Sequence, residues 1–353
     1  MPSRIVLENV TKRYRADLRP AVEALSLRVE PAELLALLGP SGCGKTTALR
    51  VVMGFEAPDS GCVRIGQRIV ADAHHAVPPE RRDVGMVFQD YALFPHLTVG
   101  ENVAFGLRRL RAQERRPAAL RTLRLCELDG LADRYPHELS GGQKQRVALA
   151  RALAPGYPVV LLDEPLASLD ADLRAQLGHE LRRLLKESGR TAVLVTHDQA
   201  EALQIADRVG VLRDGRLEQI GTPEEIYHTP ATRFVATFVG EADFLPGVVQ
   251  ADGVHTEIGV LPGGHAFRGH THVDVLVRPE HVRVAADPAG QALVTERRFR
   301  GAGILYEIRL RSGRRVRSQQ PAEHNLPPGT RVSLQATPAR VAAFAALPSQ
   351  ASG

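Results

Sequence analysis

Two hydropathy regimes divide the chain. From residue 1 to about residue 238, short apolar runs alternate with longer stretches whose apolar positions recur at helical spacing. ELLALLG from Glu33, VVLLDEP from Val159 and TAVLVTH from Thr191 are almost continuously apolar, the pattern of strands buried on both faces. Lys45–Gly54, Gly141–Ala154, Ala171–Ser188 and Gln199–Ala206 read as amphipathic helices. Strand-then-helix repetition predicts a parallel sheet covered by helices. From about Gly240 glycine and proline recur every few residues. Runs such as DVLVRPEHVRVA, ILYEIRLRSG and TRVSLQA alternate at a period of two, which predicts a small all-β domain of short strands and hairpins. The boundary is placed in Phe238–Gly247. The expected domains are 1–238, with a helical subdomain at about 90–155, and 239–345, followed by a frayed tail at 346–353.

Three motifs in the first regime carry chemistry. GPSGCGKT, Gly39–Thr46, follows a buried strand and opens a helix. It fits the phosphate loop G-x-x-x-x-G-K-[ST] in the context that gives the motif its meaning. Gly39, Gly42 and Gly44 allow backbone amides to turn inward around phosphate oxygens, and the helix terminus adds its positive end. Pro40, Ser41 and Cys43 complete the loop, Cys43 through its backbone. Lys45 brings a mobile cation to the β- and γ-phosphates, and the Thr46 hydroxyl is placed for Mg2+, with Thr47 next in the cradle. In VVLLDEP two acids emerge at the C-terminal end of a strand, where open α/β sheets bind ligands. Asp163 is the candidate Mg2+ ligand, and Glu164 is the candidate for orienting or deprotonating the attacking water. In LSGGQ, a serine and two glycines open a second long helix. Ser140, Gly141, Gly142 and Gln143 thus form a second anion-receptive terminus, although one nucleotide does not need two. The economical explanation is that they face the γ-phosphate of a nucleotide held by another copy. A plain N-cap by Ser140 is the alternative, and it leaves the glycine pair without a role.

GPSGCGKT, LSGGQ, VVLLDEP and VTHD, in this order, resemble the nucleotide-binding subunit of an ABC transporter, over essentially all of the first regime. The resemblance implies an α/β P-loop NTPase fold, the ABC ATPase cassette, working as a head-to-tail homodimer that sandwiches two ATP molecules with Mg2+. It implies further roles. Tyr14 stacks on adenine, or is one more surface tyrosine, and Val22 packs beside it. Gln89 senses the magnesium and the attacking water, His197 contacts the γ-phosphate, and Asp170 belongs to the D-loop. ASLD, Ala167–Asp170, stands where the family has SALD, so a hydroxyl contact across the dimer is missing. Tyr91, Leu93, Phe94, Pro95, Leu97 and Val99 lie in a stretch, Gln89–Phe105, that is expected both to pack locally and to dock two permease subunits or a fused permease.

ERRDVGMVFQDYALFPHLTVGENVAFGL and GTPEEIYHTP resemble the importer branch serving maltose, polyamines, sulfate and ferric iron. VRPEHVRV, Val277–Val284, resembles the β module (TOBE, OB-like) appended to such subunits, which implies a homodimer contact and a regulatory role. FVGEADFLPG resembles the ferric-iron members in particular. The implied function is ATP hydrolysis coupled to uptake of ferric iron, with polyamine, phosphonate, sulfate or sugar as alternatives. A periplasmic or lipoprotein solute-binding protein completes the expected complex.

Charge and cysteines narrow the partners. Forty-five Lys and Arg against 40 Asp and Glu leave a formal charge of only +5, spread along 353 residues. A dedicated nucleic-acid binder concentrates its basic residues. A soluble ABC ATPase of nucleic-acid metabolism also usually carries two cassettes, zinc modules or coiled coils, so no nucleic-acid partner is expected. No apolar run reaches the roughly 18–20 residues that span a bilayer, and MPSRIVLENV lacks a signal-like apolar region. Cys43, Cys62 and Cys126 are odd in number and lack metal-ligand spacing. A peripheral subunit on the cytoplasmic face of the inner membrane is expected. His255, His265, His270 and His272 read as polar loop positions rather than a metal site, because the His-x-His pair has no carboxylate partners.

Overall fold

The structure, a computed structural model, describes residues 2–15, 17–167, 169–262, 271–337 and 341–346. Ser168, His265, His270 and positions 347–353 of the expected tail lie outside them. The chain forms two compact units, Met1–Pro223 and Glu224–Gly353.

The first unit is built on a six-stranded sheet. Its strands are β3 (Leu34–Leu38), β6 (Val84–Val87), β7 (Val159–Asp163), β8 (Thr191–Thr196), β9 (Arg208–Arg213) and β10 (Arg216–Gly221), in the order β10-β9-β3-β8-β7-β6. All are parallel except β10, which returns antiparallel on β9. Every residue of β3, β6 and β8 is buried, as continuous apolar runs require of strands covered on both faces. The helices are α1 (Lys45–Met53), α2 (Val99–Ala104), α3 (Ala112–Leu125), α4 (Gly141–Leu153), α5 (Ala171–Glu187) and α6 (Gln199–Ile205). Of these, α2, α3 and α4 pack on one another as a helical part. One layer goes beyond the sequence pattern: β1 (Ile5–Lys12), β2 (Val22–Val29), β4 (Ser60–Ile65) and β5 (Arg68–Asp72) form a separate antiparallel sheet, ordered β2-β1-β4-β5. Its strands are half-buried and interrupted by bulges, so no uninterrupted apolar run marks them.

The second unit opens within α7 (Pro223–His228), continues through α8 (Arg233–Phe238) and, among the described residues, runs on as ten antiparallel strands in two sheets. The first sheet holds β11 (Asp243–Gln250), β12 (Gly253–Thr256), β13 (Gly259–Leu261), β14 (His272–Val277) and β20 (Ala343–Ala345). The second holds β15 (Val282–Ala286), β16 (Ala292–Phe299), β17 (Gly303–Arg309), β18 (Arg315–Pro321) and β19 (Arg331–Ala336). The two are intertwined, because β20 follows all of the second sheet and pairs back on β14. Side chains of Ser318 and Gln320 on β18 donate to the Val282 carbonyl on β15, 2.6 and 2.8 Å away, which curls the second sheet toward closure.

The expected boundary after residue 238 shifts to Pro223, because the two short helices are tied to the β region. Fully buried Arg278 donates to the carbonyls of Ala236 and Glu241, at 2.9 and 2.8 Å, and of Tyr227, at 3.0 Å. The Tyr227 hydroxyl donates to Glu280 at 2.6 Å. Helical periodicity cannot reveal which unit a helix packs on.

Candidate functional site

Parallel register brings the chemistry to one edge. Leu38 pairs with Thr196, Val195 with Asp163, and Leu162 with Val87. The segments leaving β3, β6, β7 and β8 therefore open on the same C-terminal rim, carrying in turn Gly39–Thr46, Gln89, Asp163–Glu164 and His197.

The loop after β3 turns sharply at Gly44, whose φ is +102° and where an added Cβ would lie 2.1 Å from the Ala21 carbonyl oxygen. Only glycine fits there. No side chain caps the first turn of α1. Lys45 is buried and its Nζ donates to the carbonyls of Gly39 and Pro40, at 2.7 and 3.0 Å, across the loop. Cys43 is buried in the main core. Burial raises its thiol pKa, and the Lys45 ammonium only partly offsets this, so it offers the loop its backbone rather than a reactive sulfur. The far end of α1 is held by Arg82, which donates to the carbonyls of Val51 and Val52, at 2.7 and 2.9 Å. Burial lowers the Arg82 pKa to about 10, which leaves a cation at the negative end of the helix.

The Thr46 hydroxyl donates to Asp163 Oδ1 at 3.1 Å. Burial pushes the Asp163 carboxyl up, the Thr46 hydrogen bond lowers it, and neighbouring Glu164 raises it again. A half-buried carboxylate with a hydroxyl beside it and a second carboxylate next door is a hard-oxygen donor set suited to Mg2+. Glu164 holds a φ of +45°, a conformation costing about 1–3 kcal/mol for a residue with a side chain. Its amide is pinned to the Val195 carbonyl at 2.9 Å. This turn directs its carboxylate to His197, with Oε2 3.2 Å from Nδ1.

Tyr14 is exposed, with its hydroxyl 3.4 Å from Thr47 Oγ1 and Lys12 Nζ 5.8 Å from its ring centroid. Its open ring therefore stands beside the first turn of α1. Val22 departs from expectation. It is fully buried, under the loop beside Gly44, so it supports the loop instead of touching a base. Gln89 is exposed in the turn after β6.

Ser140 caps α4. Its hydroxyl accepts from the Gln143 amide at 3.3 Å, and the Gln143 side chain accepts from the Ser140 amide at 3.0 Å. An added Cβ at Gly142 would stand 3.2 Å from Leu177 of α5, so close packing accounts for one of the two glycines. Gly141 is exposed. Asp170 caps α5, accepting from the Leu173 amide at 2.9 Å. Among the described residues, Ser140–Gln143 make no hydrogen bond to the phosphate loop, Asp163, Glu164 or His197.

Sequence reasoning missed two polar groups that shape this rim, buried Asn102 and half-buried Arg151. Asn102 binds the carbonyls of Phe94, Leu97 and Thr98, at 3.0–3.1 Å, and the Phe94 amide at 2.8 Å. Arg151 donates to the carbonyls of Ala92 and Tyr91. Together they fold the apolar segment after Gln89, leaving Tyr91 and Val99 buried, Leu93, Phe94 and Leu97 half-buried, and Phe105 exposed. The available signal was Asn102 on the apolar stripe of α2.

In the second unit His255 pairs with Asp252 at 2.8 Å. Among the described residues no three His, Cys, Asp or Glu side chains gather as a metal site, and no helix is long and apolar enough to cross a membrane.

A family model described as ABC transporter matches residues 22–167, and one described as TOBE domain matches 275–344. The spermidine/putrescine import ATP-binding protein PotA of Thermobifida fusca is 49% identical over 80% of this chain and 76% of its own length. The Fe(3+) ions import ATP-binding protein FbpC of Rhizobium etli is 44% identical over 94% of this chain and 95% of its own. The dimeric post-hydrolysis structure of the ATP-binding cassette MJ0796 bound to ADP and Pi is 35% identical, with a TM-score of 0.55, over 62% of this chain and 98% of that one.

Proposed function

Because the chain belongs to the ABC transporter family, as an ATP-binding subunit of its importer branch, we propose that it hydrolyses ATP at the rim described above, in a head-to-tail dimer, to drive solute uptake. The tripolyphosphate lies in Gly39–Thr47, where Lys45 exchanges its loop carbonyls for phosphate oxygens. Tyr14 stacks on the adenine. Thr46 and Asp163, with Gln89 contributing, would hold Mg2+, which when bound would supply positive charge against that developing on the phosphates. Glu164 orients the attacking water and takes its proton. His197, kept beside Glu164 by its Nδ1, offers the rest of its ring to the γ-phosphate. Ser140–Gln143 and Asp170 act across the dimer, which the dimeric state of the related cassette supports. Catalysis of this kind is positioning and electrostatics.

The observation that carries the reading is the contact between Glu164 and His197 beside the Thr46–Asp163 pair, two pairs at 3.2 and 3.1 Å drawn from three strand ends. Glu164→Gln keeps shape and removes the base. A general base contributes about 10²–10⁴-fold, so turnover falls by that factor while ATP still binds and holds the dimer closed. Turnover at the wild-type rate refutes the assignment.

The remaining parts of the proposal rest on kinship. The partners are two permease subunits or a fused permease, docking near Gln89–Phe105, and a solute-binding protein on the far side of the membrane. The chain itself sits on the cytoplasmic face. The β unit serves homodimer contact and regulation. The solute is a cationic nutrient. FVGEADFLPG favours ferric iron, and relatives named for spermidine/putrescine support a polyamine equally. Uptake of labelled iron(III) and labelled spermidine by a deletion strain separates the two.

A further inference from the structure

We infer that Arg174, Asp198 and Glu201 form a positioning group that holds the segment carrying Asp170 and the segment carrying His197 in one fixed geometry. The inference rests on the catalytic reading above. It concerns a pair of helices, α5 and α6, whose starts are the ends of those two segments.

The links are continuous. Arg174 Nη2 donates to the Leu169 carbonyl at 2.9 Å, directly before Asp170. Arg174 Nη1 pairs with Asp198 Oδ2 at 2.5 Å, directly after His197. The other Asp198 oxygen accepts from the Glu201 amide at 3.0 Å, and the Asp198 amide donates to Thr196 Oγ1 at 2.9 Å. Thr196 Oγ1 also bonds the buried carboxylate of Glu201. His197 is therefore flanked on both sides by residues that have no freedom of their own, and one guanidinium spans from that clamp to the D-loop backbone.

A second observation makes the group more than a helix cap. Arg174 Nε and Glu201 Oε1 are buried without hydrogen-bond partners. Both residues line one cavity of about 120 Å³, together with Ala175, Gly178, Asp198 and Ile205. Leaving a donor and an acceptor unpartnered where the two helices meet costs free energy that a contact kept only for packing would not carry. Placing a half-buried ion pair and a buried acid between α5 and α6 is a poor way to gain stability, since apolar residues of the same volume pack as well. A charge pair does impose one register, and the register here is that of His197 relative to Asp170.

The test uses the purified full chain with Arg174→Gln, Asp198→Asn, the double variant and Arg174→Lys, reading kcat, KM for ATP and melting temperature. None of these side chains belongs to the nucleotide site. Each single substitution is expected to lower kcat by about threefold to thirtyfold, the usual range for coupling through a network. KM is expected to stay within about twofold, because ground-state binding is untouched. The double variant should be no slower than the slower single one, the mark of groups acting as a unit. Arg174→Lys, which keeps a cation facing Asp198, should regain part of the rate. Variants that melt lower yet turn over at the wild-type rate overturn the inference and leave the pair a packing device. Multiplicative losses in the double variant overturn it as well. Should Arg174→Gln fail to fold, Asp198→Asn decides alone, because asparagine preserves the helix cap. Hydrolysis surviving in Glu164→Gln counts against the catalytic reading. Unchanged kcat in Arg174→Gln beside an inactive Glu164→Gln counts against the present inference only.

Discussion

Two helix starts in the first unit look alike in sequence and are built in opposite ways. α1 begins after Gly44, with no side chain capping its amides. α4 begins after Ser140, in a closed capping box with Gln143. The open start sits beside a buried lysine bonded, among the described residues, only to loop carbonyls and sulfur, and its amides have no side-chain cap to give up before meeting an anion. The closed start must first give up an internal hydrogen bond. Glycine before a helix thus has two uses: at Gly44 it permits a left-handed turn, and at Gly142 it permits close packing on Leu177. Under the proposed mechanism the first terminus is complete within one chain, and the second acts only when a partner's nucleotide replaces its cap.

That contrast can be broken at several points. The largest effect is expected from Lys45→Ala, which should weaken ATP binding by about a hundredfold, equivalent to ~3 kcal/mol of charge-assisted hydrogen bonding, as read by titration calorimetry. Unchanged affinity would remove the distinction between the two starts. Gly44→Ala places a Cβ against the Ala21 carbonyl at a φ of +102°, and should destabilise the unit by about 2 kcal/mol or more, seen in the melting temperature. A variant as stable as the parent would mean the turn is not constrained. Ser140→Ala removes the cap of α4 and should lower stability by about 1 kcal/mol. It should slow hydrolysis while leaving the affinity of dilute protein for ATP unchanged; a loss of that affinity would place Ser140 in its own chain's site.

A pH-dependent effect sharpens the contrast at a third helix start, that of α6. Burial pushes the Glu201 carboxyl from its ordinary 4.5 up to about 7. Between those values the folded chain holds a proton that the unfolded chain has released. This contribution to stability is complete below about 4.5 and is lost as pH rises through about 7. Glu201→Gln should flatten the fall of melting temperature over that window. An unaltered slope would show that Glu201 is already ionised when buried.

Local pattern revealed the elements whose burial is uniform. β3, β7 and β8 announce themselves as apolar runs, and α1, α4, α5 and α6 lie within a residue of the expected ranges. The phosphate loop, the acidic strand end and the serine-glycine helix start were legible because each needs particular residue types at fixed spacing. The antiparallel sheet of β1, β2, β4 and β5 was not, because its strands are half-exposed and bulged. That Val22 lies buried under the loop, and not beside the Tyr14 ring, was not legible either, because a valine carries no sign of which face it buries. Glu201 stands on the buried side of α6 beside Ala202 and Ile205, and that placement was the available clue to the network with Arg174.

The sequence by itself determined the family, the uniformly buried elements and the motifs proposed to carry the chemistry, because those depend on neighbours along the chain. Only the tertiary structure decided that α7 and α8 belong with the β unit, that Glu164 meets His197, and that one arginine joins two helix starts. Each of these is a contact between segments distant in sequence, set by strand order and by which buried polar groups find partners, and neither is encoded in local periodicity.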